Sequence, residues 1–99
     1  MFVAIRYYKA DPDSTDEVVR RVKEGFVPLV RDMRGFVSYF VLVPSERENE
    51  LVSISVFEDQ RGAQESNEKA EHWVRQNLSE LLPLPEFAAG EVVVYEAKH

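Results

Sequence analysis

The order of strand-like and helix-like segments constrains the fold of this chain more than any other feature of its sequence. Residues 2–8, FVAIRYY, are β-branched and aromatic and predict a first strand. Residues 36–43 and 51–57 predict two more strands, and the short polar segment PSERENE between them favours an antiparallel hairpin. Residues 91–96, EVVVYE, predict the last strand, which comes after the predicted loop LPEFAAG.

The segment between the first two strands predicts a helix with one apolar face. Asp13 or Ser14 is suited to cap its N-terminus. Pro28 lacks a backbone N–H, so we expect the helix to bend or break near Glu24, and Gly35 is well placed to end it. The face predicted to point inward carries Thr15, Val18, Val22, Phe26, Leu29 and Met33.

A second helix is predicted at about 60–81, and its inward face is unusually polar. Helical spacing places five aliphatic residues on this face, namely Ala63, Ala70, Val74, Leu78 and Leu81. Ser66, Asn67, Asn77 and Trp73, the only tryptophan, fall on the same face. Buried polar groups need hydrogen-bond partners, and a mixed apolar and polar wall is typical of a small-molecule pocket.

The β-α-β-β-α-β order predicts a single α+β domain over residues 1–99 with the ferredoxin-like fold, in which two helices cover one face of a four-stranded antiparallel sheet. Both faces of the second strand are apolar, although the helices cover only one. Phe36, Phe40 and Leu42 are predicted to point one way, and Val37, Tyr39, Val41 and Val43 the other. An uncovered apolar face predicts association, so we expect a homodimer through the sheet face.

Composition excludes several classes of function. The net charge of −6 argues against binding to nucleic acid or to an anionic membrane. The chain has no cysteine, which excludes disulfides, thiol nucleophiles and thiolate metal sites. No apolar stretch is long enough for a signal peptide or a membrane span, and we expect a cytoplasmic location.

Four segments together resemble the antibiotic biosynthesis monooxygenase family of the dimeric α+β barrel superfamily. They are FVAIRYYKAD, the Gly35-Phe36-Val37-Ser38-Tyr39 segment, SISVFEDQRGA and the closing GEVVVYE. The resemblance implies a homodimer whose two sheets form a barrel, with a pocket between helices and sheet in each subunit. Some relatives oxidise polycyclic aromatic substrates with dioxygen and no metal or flavin, some degrade haem, and others have no known reaction.

The chain departs from this family at the second helix and the first strand. Ser66 stands where many relatives carry histidine. FVAIRYY contains no asparagine and no histidine comes after Trp73 in its helix, which argues against haem degradation. The cofactor-free oxygenases use an asparagine and a tryptophan on this helix, and Asn67 and Trp73 are the candidates here.

Each candidate residue also has a purely structural interpretation. Trp73 is either a core aromatic or a stacking wall for an aromatic ligand. Asn67 either bonds a loop carbonyl or holds a substrate oxygen, and the same argument applies more weakly to Ser66 and Asn77. Arg6, inside an apolar strand, pairs with a glutamate across a dimer or binds an anionic ligand group. The side chains offered as pocket wall are Asn67, Trp73, Ser66, Asn77, Tyr39 and Arg6.

Tyr39 is expected to offer its hydroxyl to a cavity, whereas Ser38, Ser53 and Ser55 line either the pocket or the barrel interior. His72 is expected on the surface and His99 is terminal. We expect no metal site and no bound organic cofactor. The predicted function is cofactor-independent oxygenation of an aromatic or polyketide-like molecule; the alternative is a non-catalytic ligand-binding or structural homodimer.

Overall fold

Four antiparallel strands form one sheet in the order β2-β3-β1-β4 in the computed structural model, which describes residues 1–98. The strands are β1 (Phe2–Lys9), β2 (Phe36–Leu42), β3 (Glu50–Phe57) and β4 (Glu86–Glu91). The helical elements are a 3₁₀ turn (Pro12–Ser14), α1 (Thr15–Arg21), a π-helical segment (Val22–Phe26), α2 (Val27–Arg31) and α3 (Gln60–Asn77). The predicted ferredoxin-like α+β fold is confirmed, while the prediction for His99 lies outside the described residues.

The helices cover the sheet face that carries Ala4, Arg6 and Tyr8 of β1. In the antiparallel register Arg6 lies opposite Ser53, and Tyr39 lies opposite Ser55, so these side chains share that face. The core between this face and the helices is built from buried apolar side chains, among them Val18, Phe26, Val30, Leu51, Phe57, Ala63, Ala70, Trp73, Val74 and Leu78. Trp73 and four of the five aliphatic residues predicted to face inward from α3 are therefore buried.

The opposite sheet face has no helix over it within residues 1–98. Its side chains include Tyr7, Phe40 and Leu42, which are 42%, 48% and 40% exposed. Phe40 lies opposite Ile54 and Leu42 opposite Val52, which continues the apolar surface onto β3. The prediction that both sheet faces are apolar and that the helices cover one of them is confirmed. No helix within residues 1–98 combines the length and hydropathy needed to cross a bilayer.

Pro28 shifts the face that the first helical layer presents to the core. The backbone N–H of Val27 bonds the carbonyl of Val22, five residues back, which is the π-helical spacing. The wider turn inserts one extra residue, so the next turn is rotated relative to the α-helical prediction. Val30 is consequently fully buried, and Leu29, predicted to face inward, is 47% exposed. The predicted disturbance upstream of Pro28 thus takes the form of a π-segment.

A β-bulge changes the predicted direction of Phe36. Phe36 pairs with Phe57 and Ser38 with Val56, so Val37 is the extra residue on β2. The bulge turns Phe36 to the helix-covered face, where its ring lies edge-on to that of Phe57 at a centroid distance of 5.9 Å. The strict alternation that placed Phe36 beside Phe40 and Leu42 was therefore wrong at this position.

The last strand begins earlier than predicted. β4 covers Glu86–Glu91, most of which was predicted to be a loop, and Val93, Val94 and Tyr95 lie outside the strand with exposures of 83%, 82% and 69%. Antiparallel pairing sets Glu91 against Phe2, and the N–H of Val92 bonds the carbonyl of Met1.

The N-terminal caps of the first helical layer and of α3 show where these helices begin. Ser14 occupies the N-cap position of α1, as predicted, but its side chain makes no cap bond. The side-chain cap belongs to the preceding 3₁₀ turn, where Asp11 accepts a bond from the Asp13 N–H at 2.9 Å. Asp59 accepts from the Gly62 N–H at 2.8 Å at the start of α3. The end of α3 at Asn77 falls four residues before the predicted end.

Candidate functional site

Arg6 is the centre of a buried polar cluster between the sheet and α3. Its Nη1 donates to Oδ1 of Asn67 at 2.9 Å. Its Nη2 donates to the hydroxyl oxygens of Ser53 at 2.9 Å and Ser55 at 2.7 Å. The strand pairing explains the geometry, because Arg6 on β1 lies directly opposite Ser53 on β3 and the two serines alternate onto the same face.

The charge of Arg6 is buried, and no carboxylate of residues 1–98 pairs with it. The side chain is 0% exposed, and its three hydrogen bonds go to uncharged oxygens of its own chain. Its Nε is also buried and has no hydrogen-bond acceptor among residues 1–98. Burial lowers the pKa of the guanidinium, while nearby Tyr39 and Tyr8 oppose the shift. A buried cation of this kind is expensive unless something else compensates it.

The glutamate predicted to pair with Arg6 would belong to a second subunit, so the pairing depends on the sheet face that carries Arg6. Arg6 points toward α3, and the open sheet face through which dimerisation was predicted lies on the other side. The guanidinium of Arg6 lies over the ring of Phe26, with Cζ 5.7 Å from the ring centroid. The cross-dimer ion pair predicted for Arg6 is therefore incompatible with dimerisation through the open face.

Tyr39 connects the polar cluster to a set of aromatic rings. Its hydroxyl and that of Ser53 are 2.9 Å apart and share a hydrogen bond. The ring of Tyr39 lies 5.4 Å from that of Phe26, which lies 5.7 Å from the ring of Trp73. Burial raises the pKa of Tyr39 and raises that of Tyr8 to about 12, so both phenols are neutral at physiological pH.

A small cavity of about 30 Å³ lies against these rings. This is enough space for about one water molecule and far below the few hundred Å³ of a typical ligand pocket. Ser53 and Tyr39 form the polar end of the cavity next to Arg6, and the rest of the wall is mostly aliphatic. The lining residues are Tyr8, Val18, Val22, Phe26, Tyr39, Val41, Leu51, Ser53, Ala70, Trp73, Val74, Leu78 and Leu82.

Trp73 separates this cavity from an open groove on the outer side of the helices. The indole lines both spaces, and it is 9% exposed. The groove is bordered by Leu29, Glu65, Glu68, Lys69, His72 and Gln76. His72 is exposed as predicted. Trp73 therefore lies between the internal cavity and the groove.

Of the six predicted wall residues, four belong to one connected group and two do not. Arg6, Asn67 and Tyr39 are linked through the Arg6 and Ser53 bonds, and Trp73 joins them through Phe26. Ser66 is buried, but its hydroxyl donates to the carbonyl of Ala63 within its own helix. Asn77 is exposed and donates to the carbonyl of Trp73, so the prediction that it faces inward was wrong.

Phe26 and Tyr8 were not among the predicted pocket residues, whereas Ser53 and Ser55 were expected to line either the pocket or the barrel interior and lie on the helix-covered side with Arg6. The serines did carry a signal in the sequence, because two hydroxyls at alternate positions of one strand share a face and need a polar partner. Among residues 1–98, Arg6 on another strand is the only buried cation able to supply it. Over residues 1–98, no three His, Cys, Asp or Glu side chains are grouped so as to hold a metal ion.

Comparison with known proteins identifies the family of the chain that carries this site. The sequence model of the antibiotic biosynthesis monooxygenase family matches residues 1–77, which include every residue of the Arg6 cluster. No curated protein is significantly similar in sequence to the chain.

Several solved structures share the fold at low sequence identity. SnoaB, a cofactor-independent oxygenase from Streptomyces nogalater, is 15% identical with a TM-score of 0.70, over 98% of this chain and 97% of that one. The ActVA-Orf6 monooxygenase of Streptomyces coelicolor, in complex with nanaomycin D, is 18% identical with a TM-score of 0.75, over 99% and 92%. HapK from Hahella chejuensis is 18% identical with a TM-score of 0.74, over 100% and 99%.

Proposed function

The chain belongs to the antibiotic biosynthesis monooxygenase family, and on that premise we propose that it is a cofactor-independent monooxygenase of an aromatic or polyketide-like substrate. The observation that carries the proposal is the juxtaposition of aromatic walls and a buried cation. Phe26, Tyr39 and Trp73 supply flat apolar surfaces, and Arg6 lies directly behind Ser53 at the polar end. Solved structures of the same fold include two oxygenases, one of them in complex with nanaomycin D, which supports this choice.

The proposed reaction needs no electron donor besides the substrate. An anthrone-type methylene loses two hydrogens as dioxygen is reduced. One oxygen atom becomes the new carbonyl and the other leaves as water, so CH₂ + O₂ gives C=O + H₂O. The role of the protein in such a reaction is to bind the electron-rich substrate, exclude water and stabilise negative charge that develops on its oxygens.

The residues of the cluster match these tasks. Tyr39 and Ser53 present hydroxyl groups to the cavity, and Arg6 polarises the Ser53 hydroxyl from behind at 2.9 Å. Asn67 holds the guanidinium in place through its Oδ1 at 2.9 Å and is a positioning residue in this proposal. Trp73 forms the wall on which an aromatic ring stacks.

Substrate entry in this proposal requires displacement of Trp73. The cavity of about 30 Å³ is too small for a fused aromatic ring system, whereas the groove beyond Trp73 is about 530 Å³. Rotation of the indole toward the groove connects the two spaces. In this proposal the strands of the sheet keep their positions while the indole rotates.

We also propose that the chain forms a homodimer through its open sheet face. Tyr7, Phe40 and Leu42 are about half exposed there, and a soluble monomer rarely leaves so extended an apolar surface uncovered. The exposed Val93, Val94 and Tyr95, beyond the end of β4, add further apolar surface. A two-fold arrangement pairs these surfaces with themselves.

The test is oxygen consumption by purified protein, treated with chelator, on a panel of anthrones and hydroquinones. We expect enzyme-dependent uptake that falls at least about 10-fold in the Asn67→Leu and Trp73→Ala variants. Lys9→Met, which changes an exposed residue of β1 away from the cavity and the groove, is the control and should retain activity. Absence of uptake with every substrate of the panel, while the same compounds raise the melting temperature, would refute oxygenation and leave ligand binding.

A further inference from the structure

The segment after β4 carries the three most exposed large apolar side chains of residues 1–98. They are Val93, Val94 and Tyr95. The N–H of Val92 bonds the carbonyl of Met1, and from there to residue 98 no backbone group bonds another element. Exposed apolar side chains and unpaired backbone groups in one segment indicate an interaction that a single chain does not complete.

The sequence of this segment is that of a strand. Residues 92–95 are three valines and a tyrosine, β-branched or aromatic, with no glycine or proline among them. They predicted a strand over 91–96, whereas the single chain pairs only as far as Glu91. A strong local preference for strand in a segment without a neighbouring strand indicates that the pairing strand lies in another molecule.

The β2 edge of the sheet matches this segment. β2 is an outer strand in the order β2-β3-β1-β4, so one side of its backbone is unpaired within residues 1–98. From Phe36 to Leu42 it has no charge, glycine or proline, which are the features that usually protect an exposed strand edge. Its exposed side chains include Val37, Phe40 and Leu42. Aliphatic and aromatic side chains on neighbouring strands stabilise their pairing.

The opposite edge, β4, suits the segment less well. β4 has a glutamate at each end, Glu86 and Glu91, and contains two alanines and a glycine. The 92–96 segment is itself bounded by Glu91 and Glu96, so its pairing with β4 would place carboxylates on neighbouring strands. The small side chains of β4 also offer little apolar area to valine and tyrosine.

The segment is too short to pair with β2 of its own chain. It starts beside β1 and β4, and the free edge of β2 lies beyond β3. The way from β4 to a position outside β2 covers about four inter-strand spacings, or about 19 Å. Residues 93–98 span about 20 Å when fully extended, so the crossing would leave none of them to pair. A second copy therefore has to supply the edge.

We infer that residues 92–96 form a fifth strand on the free edge of β2 in a second copy of this chain. Each copy has one such segment and one such edge, so a two-fold arrangement satisfies both and leaves neither open. The inference rests on the proposed homodimer and specifies which backbone surfaces join its subunits. Phe40 and Leu42 border this edge on the open sheet face, so the added strand continues the proposed apolar interface.

The test compares residue-resolved amide hydrogen exchange in wild type and in the double variant Val93→Pro/Val94→Pro. Adjacent prolines remove one N–H from each side of the strand, so a bonding N–H is lost whichever side faces the partner. In the wild-type dimer we expect alternate amides of 92–96 to exchange at least about 10-fold more slowly than in an unstructured peptide. The amides on the free edge of β2 should be slowed as well. The proline variant should lose both effects, and its dissociation constant should rise at least about 10-fold.

The matched control is the double variant Val93→Ile/Val94→Ile, which keeps the backbone N–H groups and the β-branched side chains. It should retain the protection and the dimer. A proline variant that dimerises as tightly as wild type, or a wild-type dimer whose 92–96 amides exchange freely, would overturn the inference. Protection of the outer amides of β4 in place of those of β2 would overturn the choice of edge.

The outcomes separate this inference from the proposed sheet-face dimer. Free exchange over 92–96 in a wild-type dimer that Phe40→Glu dissociates would overturn the strand addition and retain the sheet face. Protection that persists in a dimeric Phe40→Glu variant would do the reverse. A monomeric wild type at micromolar concentration would overturn both. Oxygen uptake on anthrones is a separate measurement and decides the proposed activity in each case.

Discussion

The indole of Trp73 packs against Gly25, and a β-carbon at position 25 would lie 2.6 Å from Cζ2 of the ring. Gly25 belongs to the π-helical segment that Pro28 imposes on the first helical layer. The absence of a side chain there therefore gives Trp73 its place between the cavity and the outer groove. Helix geometry and the candidate pocket are coupled at this one contact.

Gly25→Ala should displace the Trp73 ring. Alanine favours helix by about 1 kcal/mol over glycine, but overpacking a filled site costs about 1–3 kcal/mol. We expect a net loss of about 1 kcal/mol in denaturant unfolding and a red-shifted emission from the single tryptophan. Gly90→Ala is the control, because nothing lies within 4 Å of a β-carbon there. An unchanged emission spectrum in Gly25→Ala would contradict the packing described here.

Asn67→Leu should destabilise the protein by leaving Nη1 of Arg6 without its acceptor. The loss of a buried partner to a charged group costs about 1–3 kcal/mol, to be measured by urea unfolding. Asn77→Ala changes an exposed residue of the same helix and should stay within about 0.5 kcal/mol of wild type. The double variant Arg6→Met/Asn67→Leu should be more stable than Asn67→Leu alone, since it removes both members of the pair. A double variant less stable than either single one would show that Asn67 does not serve Arg6.

Glu17→Gln should flatten the acid dependence of stability. Bonds from Arg20, and also from Arg21, lower the pKa of Glu17 from 4.5 to about 2. Because the folded-state pKa is depressed, this stabilisation is fully present above 4.5 and is lost as the pH falls toward 2. Thermal melts at pH 6, 4 and 2.5, at low and high salt, should show a smaller decline in the variant.

Arg61→Gln is the matched control for the Glu17 experiment. It breaks the exposed salt bridge between Arg61 and Glu65, which are 3.0 Å apart. Both residues belong to α3, so this salt bridge does not connect two elements. Arg21, by contrast, bonds Glu17, the Asn77 carbonyl at 2.8 Å and the carboxylate of Glu80, and so joins the first helical layer to the end of α3. Equal acid profiles for wild type and Glu17→Gln would refute the role given to Glu17.

Phe40→Glu should weaken the proposed dimer by placing a charge in the middle of the open sheet face. Phe40 is 48% exposed in the single chain, and an uncompensated charge in a buried interface costs several kcal/mol. We expect the dissociation constant to rise at least about 100-fold, as measured by light scattering after size exclusion. Leu84→Glu, at a 65% exposed loop position, is the control. A monomeric wild type at micromolar concentration would refute the dimer.

The fold was largely predictable because its signals are local. Apolar periodicity and turn residues predict the β-α-β-β-α-β order, and α3 keeps its predicted face at Ala63, Ala70, Val74 and Leu78. The errors occurred where one residue is added to a regular repeat. The π-segment places Val30 in the core where Leu29 was predicted. The bulge at Val37 turns Phe36 to the opposite face of the sheet. In both cases the extra residue rotates its neighbours relative to the regular repeat.

The candidate site depended on contacts between distant parts of the chain. The sequence by itself determined that Arg6, Tyr39, Asn67 and Trp73 carry polar groups on otherwise largely apolar faces. Tertiary structure decided that Ser53 and Ser55 meet Arg6, that Asn77 is exposed and that the cavity stays small behind Trp73. Periodicity reports the face of an element on which a side chain lies, whereas its partner depends on strand register and helix packing, which bring together residues 47 to 61 positions apart.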